Sequence, residues 1–141
     1  MYEQLIAALA AEEAAIYAYG VVGVHLPGNA DRIQAQAAEQ AHRDRRADLV
    51  AELSRVRAST PPAPAAYELP FPITDRPSAL KLAIHVEDGV AAAWRAVLPV
   101  TEDAGRTSAL SALTDAAIRA TRWRRTAGVT PLTLAFPGRP A

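Results

Sequence analysis

Apolar side chains recur at intervals of three and four residues in four separate stretches of the chain. This spacing places them on one face of an α-helix. A proline or a glycine follows each stretch and interrupts helical backbone, so each predicted helix ends there. The four predicted helices cover residues 2–25, 30–58, 77–98 and 104–127.

Each predicted helix has one stripe that we assign to the core of a bundle. Polar residues interrupt three of the stripes, with Glu12 in the first, His42 in the second and Glu87 in the third. The stripes consist of Leu5, Leu9, Glu12, Ile16 and Tyr19; of Ala35, Ala38, His42, Leu49, Leu53 and Val56; of Leu80, Ala83, Glu87, Val90, Ala91, Trp94, Val97 and Leu98; and of Leu110, Leu113, Ala117, Ala120 and Arg124.

The first and third links between the predicted helices are short, and the second link is long. The long link contains repeated prolines, which favour an extended backbone that can run the full length of a bundle. Two antiparallel hairpins joined by such a crossover form the connectivity of ferritin-like bundles. We therefore predict one all-α domain over residues 1–141, a ferritin-like four-helix bundle with a long Pro-rich crossover. An extended C-terminal tail, residues 128–141, is expected to lie on the bundle or on a neighbouring subunit.

Composition and charge narrow the classes of function. The 15 basic and 15 acidic side chains cancel, so no overall field draws the chain to nucleic acid or to an anionic membrane. Cysteine is absent, which excludes disulfides and thiol chemistry. The stretch from Met1 to Glu13 lacks the basic flank of a signal peptide, and the weakly polar stretch from Ala14 to Leu26 is too short to span a bilayer. We expect a cytoplasmic protein that does not bind membranes.

Carboxylates and one histidine on the inner stripes suggest a metal centre. Ferritin-like bundles take one Glu from each of two helices and a Glu-x-x-His from each of the other two. The second predicted helix contains Glu39 and His42 at that spacing, the first offers Glu12 and the third offers Glu87. Carboxylate and imidazole ligands suit iron and other divalent metals. Glu12, Glu39, His42 and Glu87 are therefore the candidate metal ligands.

The fourth predicted helix does not complete this pattern. Its carboxylate at a comparable depth, Asp115, is predicted to face water, and Ile118 stands where a histidine would be needed. Buried carboxylates still need compensation, which a hydrogen-bonded network without metal could supply. Tyr19, His42, Arg46 or Arg124 could contribute to that network. A mononuclear metal site, with water or Thr114 completing the coordination, and a di-iron centre are the alternatives.

Basic residues surround Trp123 near the end of the fourth predicted helix. Arginines beside an aromatic ring can bind phosphates and stack on bases. Cations near a helix C-terminus also complement the helix dipole, and this simpler interpretation is preferred. We therefore do not expect nucleic acid as a partner. The cluster consists of Arg119, Arg122, Arg124 and Arg125.

Several longer motifs resemble a known family. They are AALAAEEAAIYAYGVVGVHL, AHRDRR, YELPFPITD, ATRWRR and the closing AFPG. Together they resemble the actinobacterial ferritin-like domain family of unknown function, over nearly the whole chain. The resemblance implies an α-helical bundle, a homodimer and no established reaction. In the wider superfamily, the positions of Glu12, Glu39, His42 and Glu87 would be metal ligands.

These observations lead to two hypotheses of function. The first is a non-enzymatic ferritin-like protein with a degenerate metal site, no catalytic residues and no bound cofactor. It would act as a homodimer or by contacting another protein. The alternative is a di-iron-like redox or iron-handling protein that binds iron or another divalent metal through the four candidate ligands.

Overall fold

A computed structural model describes residues 1–140. Four α-helices form the described part of the chain, and it contains no β-strand. The all-α prediction is confirmed, and the predicted helix bounds agree closely except that the second helix ends earlier than residue 58. The helices are α1 (Glu3–Val24), α2 (Asn29–Arg55), α3 (Arg76–Val97) and α4 (Asp103–Ala127), with a short 3₁₀ turn at Leu98–Val100.

The helix starts differ in how they are capped. Asp75 precedes α3, and its carboxylate accepts a hydrogen bond from the Ser78 backbone N–H, while the Ser78 hydroxyl accepts one from Asp75 N–H. This reciprocal arrangement stabilises the first turn. No side chain caps α2, although Asn29 and Asp31 are suitable residues. Asp31 instead accepts a hydrogen bond from Arg76 Nε at 2.7 Å, which joins the start of α2 to the start of α3.

The helices pack as two hairpins. Helix α1 contacts α2 and α3, and α3 contacts α4. Tyr19 on α1 reaches Glu87 on α3, while Glu12 reaches Trp94, so α1 and α3 run in opposite directions. Because their first turns lie together, α2 and α3 run in the same direction. Residues 56–75 connect them without helix or strand.

Two hydrophobic clusters fill the bundle. One contains Leu9, Leu53 and Val97, and the other contains Leu26 and Leu80 at the opposite end. Glu12, His42 and Glu87 are buried between them, at most 1% exposed. A polar layer therefore separates two apolar layers, and it is the candidate functional site.

The buried face of α4 differs in part from the predicted one, since Leu113, Ala120 and Arg124 are buried as predicted. Leu110 was assigned to the core but is 53% exposed. Small alanines occupy the inner face instead, and they allow α4 to pack closely against α3. The inner face consists of Ala109, Ala112, Leu113, Ala116, Ala120, Trp123 and Arg124.

The tail returns to the bundle along α3 and α4. Arg95 on α3 donates a hydrogen bond to the Pro137 carbonyl at 3.2 Å. Gly138 has φ +76°, and a Cβ at this position would lie 2.6 Å from the Ala91 carbonyl oxygen. The close backbone approach therefore requires glycine. The tail contacts its own bundle within residues 133–138, one of the two positions expected for it, whereas Ala141 lies outside the described residues.

Helix α1 is also long and apolar enough to cross a membrane by length and composition, with a mean hydropathy of 1.5 in its most apolar window. The uncharged stretch after Glu13 is too short to span a bilayer by itself, but the whole helix, which includes Glu12 and Glu13, is long enough. In the bundle, 44% of that window is buried, and the helix carries Glu12 into the polar layer. Core helices of globular proteins commonly have this composition.

Candidate functional site

The centre of the polar layer is an imidazole held between two carboxylates. His42 Nδ1 lies 2.5 Å from Glu12 Oε2, and His42 Nε2 lies 2.8 Å from Glu87 Oε1. The three residues come from α2, α1 and α3. Both ring nitrogens therefore face a carboxylate oxygen, and each carboxylate approaches the ring from a different side.

Tyrosine, tryptophan and arginine side chains complete the hydrogen bonding of the two carboxylates. Trp94 Nε1 donates to Glu12 Oε1 at 2.6 Å. Tyr19 Oη donates to Glu87 Oε1 at 2.7 Å, and Arg119 Nε donates to the same oxygen at 3.0 Å. Thus Glu87 Oε1 accepts from several donors, which suits a carboxylate oxygen in its charged form.

A second tryptophan supports this arrangement from behind Tyr19. Trp123 Nε1 donates to Tyr19 Oη at 2.8 Å, so the hydroxyl accepts one hydrogen bond and donates another. The Tyr19 ring also stacks on the His42 ring, with centroids 5.6 Å apart. Trp123 is fully buried. These contacts order the side chains around His42.

The surroundings of His42 favour its charged form. Burial by itself lowers the pKa of His42, but the hydrogen bonds and negative charges of Glu12 and Glu87 raise this pKa to about 9. At neutral pH, His42 is therefore an imidazolium that donates from both nitrogens. Burial, followed by the negative charge of Glu87, raises the pKa of Tyr19 well above its ordinary value. Tyr19 consequently keeps its proton and remains a donor.

The charges in the layer balance. Two carboxylates, Glu12 and Glu87, face two cations, His42 and Arg119. Uncompensated buried charge is costly, and this pairing removes that cost. Arg119 comes from α4, the helix without a candidate ligand. Helix α4 thus supplies a positive charge to the layer and no carboxylate.

Three of the four candidate ligands meet in the layer, and Glu39 does not. Its side chain is 31% exposed and pairs with Arg43 on the same helix at 3.5 Å. Glu39 lies one helical turn before His42, but on the surface beside Gly20 and Gly23. The structure therefore brings together Glu12, His42 and Glu87 and leaves Glu39 outside.

Some polar residues expected near the centre lie elsewhere. Thr114 is exposed and is not positioned to complete a coordination sphere. Arg124 is buried, as its stripe position predicted, but it donates to Asp88 on α3 rather than to the central carboxylates. Asp115 faces outward, as predicted, and accepts a hydrogen bond from Arg45.

Arg119 and Trp123 were assigned to a basic cluster at the end of the fourth helix, but both belong to the layer. The sequence contains a pattern that indicates this, because Ala112, Ala116, Arg119 and Trp123 follow one another at intervals of four, three and four residues and so share one helix face. The ring of Trp123 is fully buried and is not exposed for stacking. Trp94 was assigned to the core but not to the polar layer.

The arrangement around His42 does not fit a metal ion. Ligand atoms must lie about 2.0–2.6 Å from one common point. Here the imidazole ring separates the two carboxylates, and both ring nitrogens are occupied by hydrogen bonds. No three His, Asp or Glu side chains within residues 1–140 form a group able to hold a metal. Glu87 Oε2 is buried without a hydrogen-bond partner. This oxygen could supply one metal ligand, which is fewer than a metal site in a protein requires.

The central side chains of the polar layer are shielded from solvent. Glu12, His42 and Glu87 are at most 1% exposed, and none of them lines the five surface cavities described for residues 1–140. Some residues that contact the central side chains do line a cavity. Trp94 lines one cavity, and Arg119 and Trp123 line another. A substrate would therefore have to open the bundle to reach the imidazole.

Comparison with known proteins places the chain in a domain family of unknown function and finds a similar solved structure. The model of a domain family of unknown function, DUF4439, matches residues 4–141. The chain is also similar to a crystal structure of a conserved hypothetical protein from Mycobacterium tuberculosis, with 40% identity and a TM-score of 0.83. That match covers 87% of this chain and 93% of the other. None of the curated proteins matches the chain significantly.

Proposed function

Because the chain belongs to the domain family of unknown function DUF4439, its function has to be argued from its own geometry, and we propose a non-enzymatic ferritin-like protein. A charged hydrogen-bond network takes the place of a di-metal centre in this proposal. The protein then acts through its surface, as a cytoplasmic homodimer or by contacting another protein. It needs no cofactor for that role.

One observation carries the proposal: both nitrogens of the buried His42 ring face a carboxylate, which favours the imidazolium form. With both nitrogens donating, this ring has no lone pair left for a metal or for general base catalysis. The charge balance and the burial of the layer give it a structural role instead. A layer of this kind specifies how four helices must align, because any other register would leave buried charges unpaired.

The ferritin-like assignment is supported by helix directions. Helices α2 and α3 run the same way, and residues 56–75 between them contain five prolines and no regular structure. A crossover along the bundle is the connection that such a pair of parallel helices requires. We therefore assign this Pro-rich segment as the ferritin-like crossover of a single domain.

Metal analysis tests the central part of the proposal. Protein purified from iron-supplemented cells is expected to contain far less than one iron atom per chain, because the layer is already charge-balanced without metal. Inductively coupled plasma mass spectrometry would measure this content. Two iron atoms per chain would contradict the proposal and support the iron-handling alternative. In that case His42→Ala should lower the iron content, whereas the surface variant Arg43→Ala should leave it unchanged.

The surface role is assigned to the outer face of α2. Ile33 is 57% exposed and lies among the small residues Ala30, Ala37 and Ala41. Together with Arg119 and Trp123 on α4 they line a shallow cavity of about 430 Å³ between α2 and α4. An exposed apolar side chain beside small residues allows another helix to approach closely. We propose this face as the homodimer contact.

Sedimentation analysis tests the homodimer. Wild-type protein is expected to sediment as a dimer, and Ile33→Asp as a monomer, because a carboxylate would be buried without a partner at the contact. Val50→Asp is the matched control, since Val50 is 46% exposed on another face of the same helix. It should remain dimeric. A monomeric wild type, or a dimer that survives Ile33→Asp, would contradict this assignment.

A further inference from the structure

A second, larger cavity lies between α4 and the tail. Its volume is about 730 Å³, within the range of small-molecule sites in proteins. One wall is the outer side of α4, and the other is the returning tail at Leu134 and Pro137. Contacts of Gly138 and Pro137 with α3 hold the tail in place. We call this cavity the tail groove.

The tail groove accounts for Leu110, the residue of the predicted stripe that was wrongly assigned to the core. Leu110, Leu113 and Ala117 line the groove, and Ile118 continues it. Leu110 is 53% exposed and Leu134 is 42% exposed, so apolar surface faces solvent on both walls. An apolar strip of this extent along one helix is a common feature of binding sites.

Positive charge lies toward one end of the groove. Arg122, Arg124 and Arg125 line it near the C-terminal end of α4. Arg124 is engaged by Asp88, the only acidic residue of the lining. Within residues 1–140, Arg122 and Arg125 form no salt bridge and no side-chain hydrogen bond. The groove therefore combines an apolar length with two uncompensated cations.

This combination fits a molecule with an apolar chain and one anionic end, and we propose that the tail groove binds a long-chain carboxylate such as a fatty acid. The apolar chain lies along Leu110, Leu113 and Ile118, and the carboxylate is bound by Arg122 and Arg125. Guanidinium groups bind carboxylates through paired N–H donors. The site is separate from the polar layer and goes beyond the function proposed above.

The dimensions agree with this ligand. From Leu110 to Arg125, α4 rises about 22 Å at 1.5 Å per residue. One acyl chain spans about 15 Å, half the thickness of the hydrocarbon core of a bilayer. The groove therefore has room for the chain with its anionic end near the arginines.

A second copy of the protein fits the groove less well. A two-fold dimer brings the same patch of both copies together. The patch contains Asp88 as its only carboxylate, and Arg124 already binds it. Arg122 and Arg125 would remain uncompensated in such a contact. The charge of the groove thus favours an anion from a different molecule.

Fluorescence titration of the full chain with dansyl-undecanoic acid, below its micelle concentration, tests the proposal. We expect saturable binding of one probe per chain, with a blue-shifted emission from the apolar groove. Oleate should displace the probe, whereas dodecylamine and inorganic phosphate should not, because the site needs both the chain and the negative charge. Arg122→Ala/Arg125→Ala should weaken binding at least about tenfold.

Two further variants separate the groove from unspecific binding. Arg43→Ala removes a surface arginine on α2 and should leave the affinity unchanged. Gly138→Ala should weaken binding because its Cβ displaces the tail from Ala91, while circular dichroism shows that the helices are retained. No saturable binding, equal affinity in the double arginine variant, or equal displacement by dodecylamine would overturn the proposal. One further result would overturn the proposal: the wild type binds no probe and Leu110→Asp converts a dimer into a monomer. The groove would then be a contact between two copies of the chain.

Discussion

Replacing Glu87 by alanine is expected to lower the free energy of unfolding by about 3–5 kcal/mol, the usual cost of removing one partner from a buried ion pair. Glu87 Oε1 accepts from His42, Tyr19 and Arg119, so the variant leaves two buried cations and one hydroxyl without their acceptor. Denaturant unfolding followed by circular dichroism at 222 nm would measure the change.

Two other variants keep this test informative. Glu87→Gln retains the shape and one acceptor oxygen, so it should destabilise less than alanine and remain folded even if Glu87→Ala does not. Glu39→Ala is the matched control, because Glu39 is another glutamate of the predicted site but lies on the surface. It should cost less than about 1 kcal/mol. Similar effects of Glu39→Ala and Glu87→Ala would contradict the assigned structural role of the layer.

Alkaline pH is expected to destabilise the protein through His42. The pKa of His42 is about 9 in the fold against an ordinary value of 6.5, so folding favours the bound proton. The stabilisation is complete below about pH 6.5 and is lost as the pH rises through about 9. The difference corresponds to about 3 kcal/mol. Unfolding curves at intervals between pH 6 and pH 9.5 would measure it.

The variant His42→Gln identifies the group responsible. It lacks the titrating ring, so its stability should be lower at pH 6 but should change little up to pH 9.5. A wild-type stability that stays constant over this range would show that His42 is not held as an imidazolium. The ring would then be neutral, with one nitrogen free to bind a metal, and the proposed metal-free core would lose its main support.

The sequence alone predicted the helices and much of the candidate site. The spacing of apolar residues and the positions of proline and glycine are local properties of the sequence. They correctly predicted four helices and the buried positions of Glu12, His42 and Glu87. Glu39 was grouped with His42 through a motif spacing. A separation of three residues turns a side chain by about 60° around the helix axis. That angle is enough to place Glu39 on the surface while His42 is buried.

The residues of α4 left its rotation open between two faces. One face has alanines with Leu113, Arg119 and Trp123, and the other has Leu110 and Ile118. Hydrophobicity favours the larger side chains for the core, but close packing against α3 favours the small ones. The choice of the alanine face brought Arg119 inward and left Leu110 in the tail groove.

What the sequence by itself determined is the secondary structure and the burial of three charged residues, because both follow from local periodicity. What only the tertiary structure decided is which groups compensate those charges. Arg119, Trp94 and Trp123 are far from Glu12 in the chain and meet the layer only through packing of α3 and α4. The energy of a buried charge depends on all its neighbours in space. The compensation of the buried charges, on which the proposed metal-free network depends, is therefore a property of the fold.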